Sequence, residues 1–110
     1  MDARTRRIAD NESRFRDINE RLEADLRRLP VDGDPVDFVC ECGKLECSAT
    51  VPLTLDEYER VRQDSATFAV LPGHEIGDVE DVVHRSERFF VVRKHVESRP
   101  IAEGSDRRTG

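Results

Sequence analysis

Between Ile8 and Leu29 the apolar positions Ile8, Phe15, Ile18, Leu22, Leu26 and Leu29 recur at threes, fours and sevens, and Arg and Glu fill the other faces. That spacing predicts an amphipathic helix of about 20 residues carrying one apolar stripe. Pro30 disfavours helical backbone at Leu29, and Gly33 and Pro35 suit a turn, so the helix closes there and a short linker follows. From Val36 the period becomes two. Val36, Phe38, Cys40 and Cys42 alternate with Asp37, Val39 and Glu41, the pattern of a strand with one face turned to a core. Val51 to Leu53 can pair back as a second strand. Thr54-Leu55-Asp56-Glu57 has the form of a capping box, and Leu55, Tyr58 and Val61 mark one face of a short helix that should run to Gln63. Thr67 to Leu71 reads as a strand, Pro72-Gly73 as a turn, Val79 to Val83 as a helical turn, and Arg88 to Lys94 as a further strand.

The expected fold is therefore α+β: a long N-terminal amphipathic helix followed by a small antiparallel sheet with one short packed helix. Three zones are expected, namely residues 1–30 as the helix, 31–96 as the α+β domain and 97–110 as a disordered tail. Composition limits the core. In 110 residues, charged side chains (38%) outnumber hydrophobic ones (36%), which leaves room for one modest domain. Residues 30–96 hold fourteen acids against seven bases, within a formal net charge of -6 for the chain. Such a domain repels phosphate and gains nothing from counterion release, which argues against nucleic acid as a direct ligand. No apolar run approaches the roughly 20 residues of a membrane span, and the residues after Met1 lack the apolar stretch of a signal peptide. The expectation is a soluble cytoplasmic protein with no membrane partner.

Cys40, Cys42 and Cys47 fall within eight residues, and this cluster is the most informative feature of the chain. On a strand, Cys40 and Cys42 share a face and their sulfurs can converge, while Gly43 permits the turn that returns Cys47. Three thiolates call for a fourth ligand, and Zn2+ prefers four tetrahedral N and S donors. The candidates are His74, His84 and His95. His74 is favoured because it follows Pro72-Gly73 in a turn, where a side chain can be aimed; His84 lies in a charged segment and His95 at a strand end. The metal ligands expected are Cys40, Cys42, Cys47 and His74, holding one zinc per chain. Zinc suits the mixed ligand set better than iron. A filled tetrahedron leaves no open position for water or substrate, so the site reads as structural. Three other readings compete: a disulfide, which would leave one cysteine over and be strained between residues 40 and 42; a reactive or sensing thiol that releases zinc on oxidation; and buried cysteines acting as small hydrophobes. A metal-dependent enzyme would need Glu75 as a base beside an open coordination position, and the chain carries no phosphate-binding loop and no nucleophile elbow.

Asn11-Glu12, Phe15-Arg16, Asn19-Glu20-Arg21, the three cysteines, Leu53-Thr54-Leu55-Asp56-Glu57-Tyr58, Pro72-Gly73-His74-Glu75 and Phe89-Phe90-Val91-Val92 together form a pattern over residues 11 to 95. It resembles a group of small actinobacterial proteins with an NExxFR…NER helix, a CxCx4C cluster and a PGHE turn. The resemblance supports His74 as the partner of the cysteines and implies no activity.

On physical grounds the N-terminal helix is also a candidate partner surface, through Phe15, Arg16, Asn19 and Arg21, because Phe beside Arg is typical of surfaces that anchor proteins. The spacing of Ile8, Phe15, Leu22 and Leu29 by seven would equally suit a two-helix dimer. Three fates of the stripe stay open: packing on its own sheet, pairing with a second copy, or docking to another protein. The functional expectation is a zinc-stabilised interaction or regulatory module without enzymatic activity.

Overall fold

The computed structural model describes residues 3–29, 33–44, 46–95 and 99–106. The first element, helix α1, runs over Ala3–Leu26. Its expected closure at Pro30 and the boundaries of the three sequence zones fall largely outside the described residues. The helix begins five residues before the first position of the apolar stripe, and Leu29 lies beyond it, 58% exposed.

The face of α1 that is buried is mostly polar. Ile8 and Ala9 are covered, but so are Glu12, Ser13, Arg16, Asn19 and Glu23, whereas Ile18 is 50% exposed. The helix lies against its own sheets, and the radius of gyration of 13.1 Å is that of a closely packed chain of this length. Phe15, Leu22 and Leu26 are half-buried, with Leu22 packed on the main core. Partners for the buried polar groups decide this orientation, because an unpaired buried amide or charge costs more than a half-exposed isoleucine.

Strand β1 (Val36–Val39) pairs antiparallel with β2 (Thr50–Leu53), Phe38 opposite Val51. Helix α2 (Leu55–Arg62) follows at once, opened by the expected box: the Glu57 N–H donates to Thr54 Oγ1 at 3.0 Å and the Thr54 N–H to Glu57 Oε1 at 2.8 Å. A second sheet has the order β3-β5-β4, from β3 (Thr67–Val70), β4 (Glu80–Arg85) and β5 (Phe90–Lys94), with both pairings antiparallel. Of the helical turn expected over Val79–Val83, only Val79 lies in a turn, and Glu80 onward is the start of β4. Val82 pairs opposite Val92 of β5, and Val83 sits at an irregularity in the ladder, 55% exposed. The strand expected from Arg88 begins at Phe90, because Ser86 gathers residues 86–89 into a turn, its Oγ accepting from the Arg88 and Phe89 N–H groups.

The core has two main parts. Phe38, Val51, Leu53, Tyr58, Val61, Ala69, Phe89 and Val91 form one, with the Phe38 and Tyr58 rings stacked 4.4 Å apart. Cys40, Cys42, Phe68, Val70, Val92 and Ala102 form the other. Ala102 belongs to helix α3 (Arg99–Gly104), which corrects the expectation of a disordered tail: residues 99–106 are folded against α1. Its short sequence has too little propensity to hold a helix alone, and tertiary contacts hold it. Arg16 of α1 donates to the carbonyls of Ala102 (2.8 Å) and Ser65 (2.7 Å) and lies 4.8 Å over the Phe68 ring. Among the described residues no helix is long and apolar enough to cross a membrane.

A buried charge cluster ties α1 to the second sheet. Lys94 Nζ lies 2.8 Å from Glu12 Oε1 and 3.4 Å from Glu80 Oε2, with all three side chains fully covered. Two carboxylates face one ammonium, so burial, and then the charge of Glu80, holds the Glu12 carboxyl well above its ordinary range. A carboxyl raised on folding binds its proton more tightly in the folded state. Its stabilisation is complete below the ordinary carboxyl value and is lost as pH rises through the folded one. Glu12→Gln removes that titration and leaves Lys94 paired with Glu80 alone. The variant should therefore gain stability relative to the parent as pH is raised from 5 to 8 at equal metal loading, read as the difference in urea midpoint. Parallel curves for the two proteins would rule this out.

Candidate metal centre

Cys40 and Cys42 follow β1 directly, and the backbone there is held on both sides. The Cys40 N–H donates to Ala49 O at 3.1 Å, and the Glu41 N–H donates to Ala69 O at 2.9 Å, which joins the first sheet to β3 of the second. Gly43, at φ +80°, then turns the chain toward Cys47, whose N–H donates to Lys44 O at 3.0 Å. His74 arrives from the Pro72-Gly73 turn after β3, where its own N–H closes onto Leu71 O at 3.0 Å.

The structure brings Cys40, Cys42, Cys47 and His74 together, with one ligand atom from each lying within 4.8 Å of all the others. His74 Nδ1 is 3.6 Å from the Cys40 Sγ and 3.6 Å from the Cys47 Sγ. With ordinary Zn–S and Zn–N bond lengths, the S···N edge of a tetrahedral site is about 3.6 Å, so these two edges stand at ligand spacing. The four residues constitute a group that could hold a metal ion. Backbone donors support the sulfurs: the Leu71 N–H points at Cys40 Sγ (3.3 Å) and the Lys44 N–H at Cys42. The Cys42 thiol is pushed down to about 4, chiefly by the hydrogen bond it receives from Cys40 and then by Lys44, His74 and Cys47 against the opposing effect of burial. That same bond, followed by burial, pushes Cys40 up. Within this pair negative charge is favoured on the Cys42 sulfur, with Cys40 as its donor. Cys40 and Cys42 are fully covered, and Cys47 and His74 are half-buried. The other histidines lie elsewhere: His84 against the Phe89 ring at 5.6 Å, and His95 with Nε2 3.3 Å from Asp81.

Of the side chains read as a partner surface, Arg16 and Asn19 are interior and correct that expectation. Arg16 is engaged as described above. The Asn19 amide donates to Val39 O (2.8 Å) and to Glu41 Oε2 (2.9 Å), and its Oδ1 accepts from the Val39 N–H (2.8 Å), so it continues the open edge of β1 like a further strand. Phe15 is half-buried, and Arg21 is exposed.

Sequence reading missed Glu41. Alternation places it on the face opposite the cysteines, where it reads as solvated, yet it is wholly buried. Its carboxylate accepts from the Tyr58 hydroxyl (2.7 Å), the Asn19 amide (2.9 Å) and the Ala69 N–H (2.9 Å). Burial pushes the Glu41 carboxyl up, while these three donors and the Arg62 charge hold it down. Nothing in the local sequence distinguishes it from Glu46, since its donors come from three distant elements. Through Glu41 the segment after β1 that carries both buried cysteines is tied to α1, α2 and β3 at once.

Gly43 completes the contact with α1. The Asn11 amide donates to Gly43 O at 3.0 Å, and a Cβ at position 43 would lie 2.8 Å from both Ile8 Cγ2 and Ile8 O. Gly43→Ala thus combines left-handed strain with overpacking against helix backbone and should cost about 3 kcal/mol. Gly33→Ala, at φ +76° with nothing within 4 Å, meets only the strain and should cost about 1 kcal/mol. Urea titration of the two variants measures the difference, and equal costs would show that α1 does not press on this loop.

No family model matches the chain, and no curated protein or solved structure matches it significantly. The geometry of the four residues therefore carries the functional argument.

Proposed function

We propose that Cys40, Cys42, Cys47 and His74 hold one structural zinc ion per chain, and that the zinc-stapled domain acts in the reducing cytoplasm as a protein-interaction or regulatory module. The observation that carries the zinc reading is the pair of 3.6 Å edges from His74 Nδ1 to two sulfurs, within a four-donor cluster of soft ligands. Four protein donors fill a tetrahedral site, so zinc would there supply a cross-link between the Cys40–Cys47 loop and the Pro72-His74 turn. The interaction reading rests on the outer face of α1. Arg14, Ile18, Arg21 and Asp25 follow one another at threes and fours and are all exposed, with Ile18 the large apolar group among them.

Native mass spectrometry of protein purified without added metal tests the site. One zinc per chain is the expected result, and a folded chain without metal would end the zinc reading. For the surface, Ile18→Asp should abolish self-association seen in sedimentation if the partner is a second copy, and should leave zinc content unchanged.

A further inference from the structure

We propose that Cys47 is the oxidation site of this protein for hydroperoxides, and that once oxidised it closes a disulfide with Cys42 that dismantles the four-donor centre. The inference rests on the zinc reading above and adds a covalent chemistry to the same residues.

Access separates the three sulfurs. Cys40 and Cys42 are 0% exposed, whereas Cys47 is half-buried, so a small oxidant arriving from solvent meets Cys47 first. Position in the backbone separates them again. Cys40 is pinned by its N–H to Ala49 O, by the next residue's N–H to Ala69 O, and by the Leu71 N–H on its sulfur. Cys47 lies outside both strand ladders, in the turn that returns to β2. Its sulfur and that of Cys42 belong to the same cluster of four donor atoms. Forming the bond requires closing a separation below 4.8 Å to about 2 Å, which a turn can absorb. A Cys40–Cys42 bond would join residues only two apart, a strained closure, across backbone that Glu41 fixes through its N–H to Ala69 O and its buried carboxylate.

The chemistry balances in two steps. The Cys47 thiol attacks the terminal oxygen of ROOH, the O–O bond breaks, and Cys47–SOH and ROH result. The Cys42 thiol then attacks the Cys47 sulfur, the S–OH bond breaks, and the products are the Cys42–Cys47 disulfide and water. Each sulfur gives up one electron, and the peroxide takes both. Cys40 and His74 remain, two donors where a tetrahedral site needs four. Glu41 and its three donors do not depend on the cysteines' redox state, so the sheet seam survives and the change is confined to the loop that faces Ile8 and Asn11 of α1.

The test starts from zinc-loaded protein treated with tens of micromolar hydrogen peroxide for minutes. Free thiols should fall from three to one, zinc should leave one-for-one, and peptide mapping after alkylation should find Cys42 joined to Cys47 with Cys40 alkylated. Dithiothreitol with zinc should reverse all three. Cys47→His keeps four donors and should stay zinc-bound with both remaining thiols intact at the same dose. Three persistent thiols at millimolar peroxide, a disulfide containing Cys40, a bond between two chains, or oxidation of Cys47→His at the parent's rate would each overturn the proposal. Zinc content before oxidation reports on the site itself, so a metal-free protein that still forms the Cys42–Cys47 bond would refute the zinc reading and leave the disulfide assignment standing.

Discussion

Stripping the metal with a chelator is expected to lower the thermal midpoint by about 15–30 °C. A ligand present at a thousand times its dissociation constant stabilises the folded state by about 4 kcal/mol, and each kcal/mol moves the midpoint of a domain this size by about 4–8 °C. Structural zinc sites commonly bind more tightly than that ratio assumes, so the figure is a lower bound. The effect is large here because the four donors come from two loops that no strand pairing joins directly: residues 40–47 on one side and the turn at His74 on the other. Without a cation, the three thiols pack with Phe68, Val70 and Val92, and Cys40 and Cys42 face single backbone N–H donors from Leu71 and Lys44 where a metal would join all four donors. Replacing Cys40 and Cys42 together by Ser should reproduce the stripped midpoint and make it indifferent to added zinc. Scanning calorimetry with and without chelator provides the measurement. A midpoint that ignores both chelator and the double substitution would mean that the cluster is not a metal site.

The cysteine cluster was legible because its signal is local. Cys40, Cys42, Cys47 and Gly43 lie within one short loop, and the turn residues before His74 give that ligand a defined place. The capping box at Thr54 was legible for the same reason. What escaped was long-range. The stripe from Ile8 to Leu29 correctly predicted a helix but not the face it buries, because Glu12, Arg16 and Asn19 acquire partners 20 to 90 residues away, and no periodicity reports them. Residues 97–110 read as a tail on composition, yet Ala102 is buried beside Arg16 of α1 and Asp106 against Arg62 and Ser65. Val79–Val83 shows the third kind of failure: a run too short for period to decide, resolved by the neighbouring strand β5.

Arg62→Met should destabilise the protein by about 3–5 kcal/mol, the usual cost of removing one partner from a buried ion pair. The guanidinium is fully covered. Its Nε donates to Glu20 Oε1 at 2.8 Å, while one terminal nitrogen lies 2.7 Å from Asp106 Oδ1 and 2.6 Å from Glu20 Oε1. The flanking carboxylates raise its pKa further against the pull of burial. With Met in its place, Asp106 keeps the Ser65 hydroxyl at 2.6 Å but loses its covered counter-charge, and Glu20 turns to water. Arg62→Lys should recover less than half of the loss, since a compact ammonium lacks the planar array by which the Nε and a terminal nitrogen of the guanidinium reach Glu20 and Asp106 together. The consequence reaches the metal centre. Asp106 anchors the end of α3, and α3 contributes Ala102 to the same apolar cluster as Cys40 and Cys42. Releasing that anchor opens one wall around the buried sulfurs, so Arg62→Met should also give up zinc to a chromogenic chelator about tenfold faster, in proportion to the opened fraction. Adding Asp106→Leu removes the stranded charge and should restore part of the stability. If Arg62→Met lost stability while its zinc exchange matched the parent's, α3 would be a support of the fold alone. If both rates and midpoints were unchanged, the ion pair would be incidental to the fold.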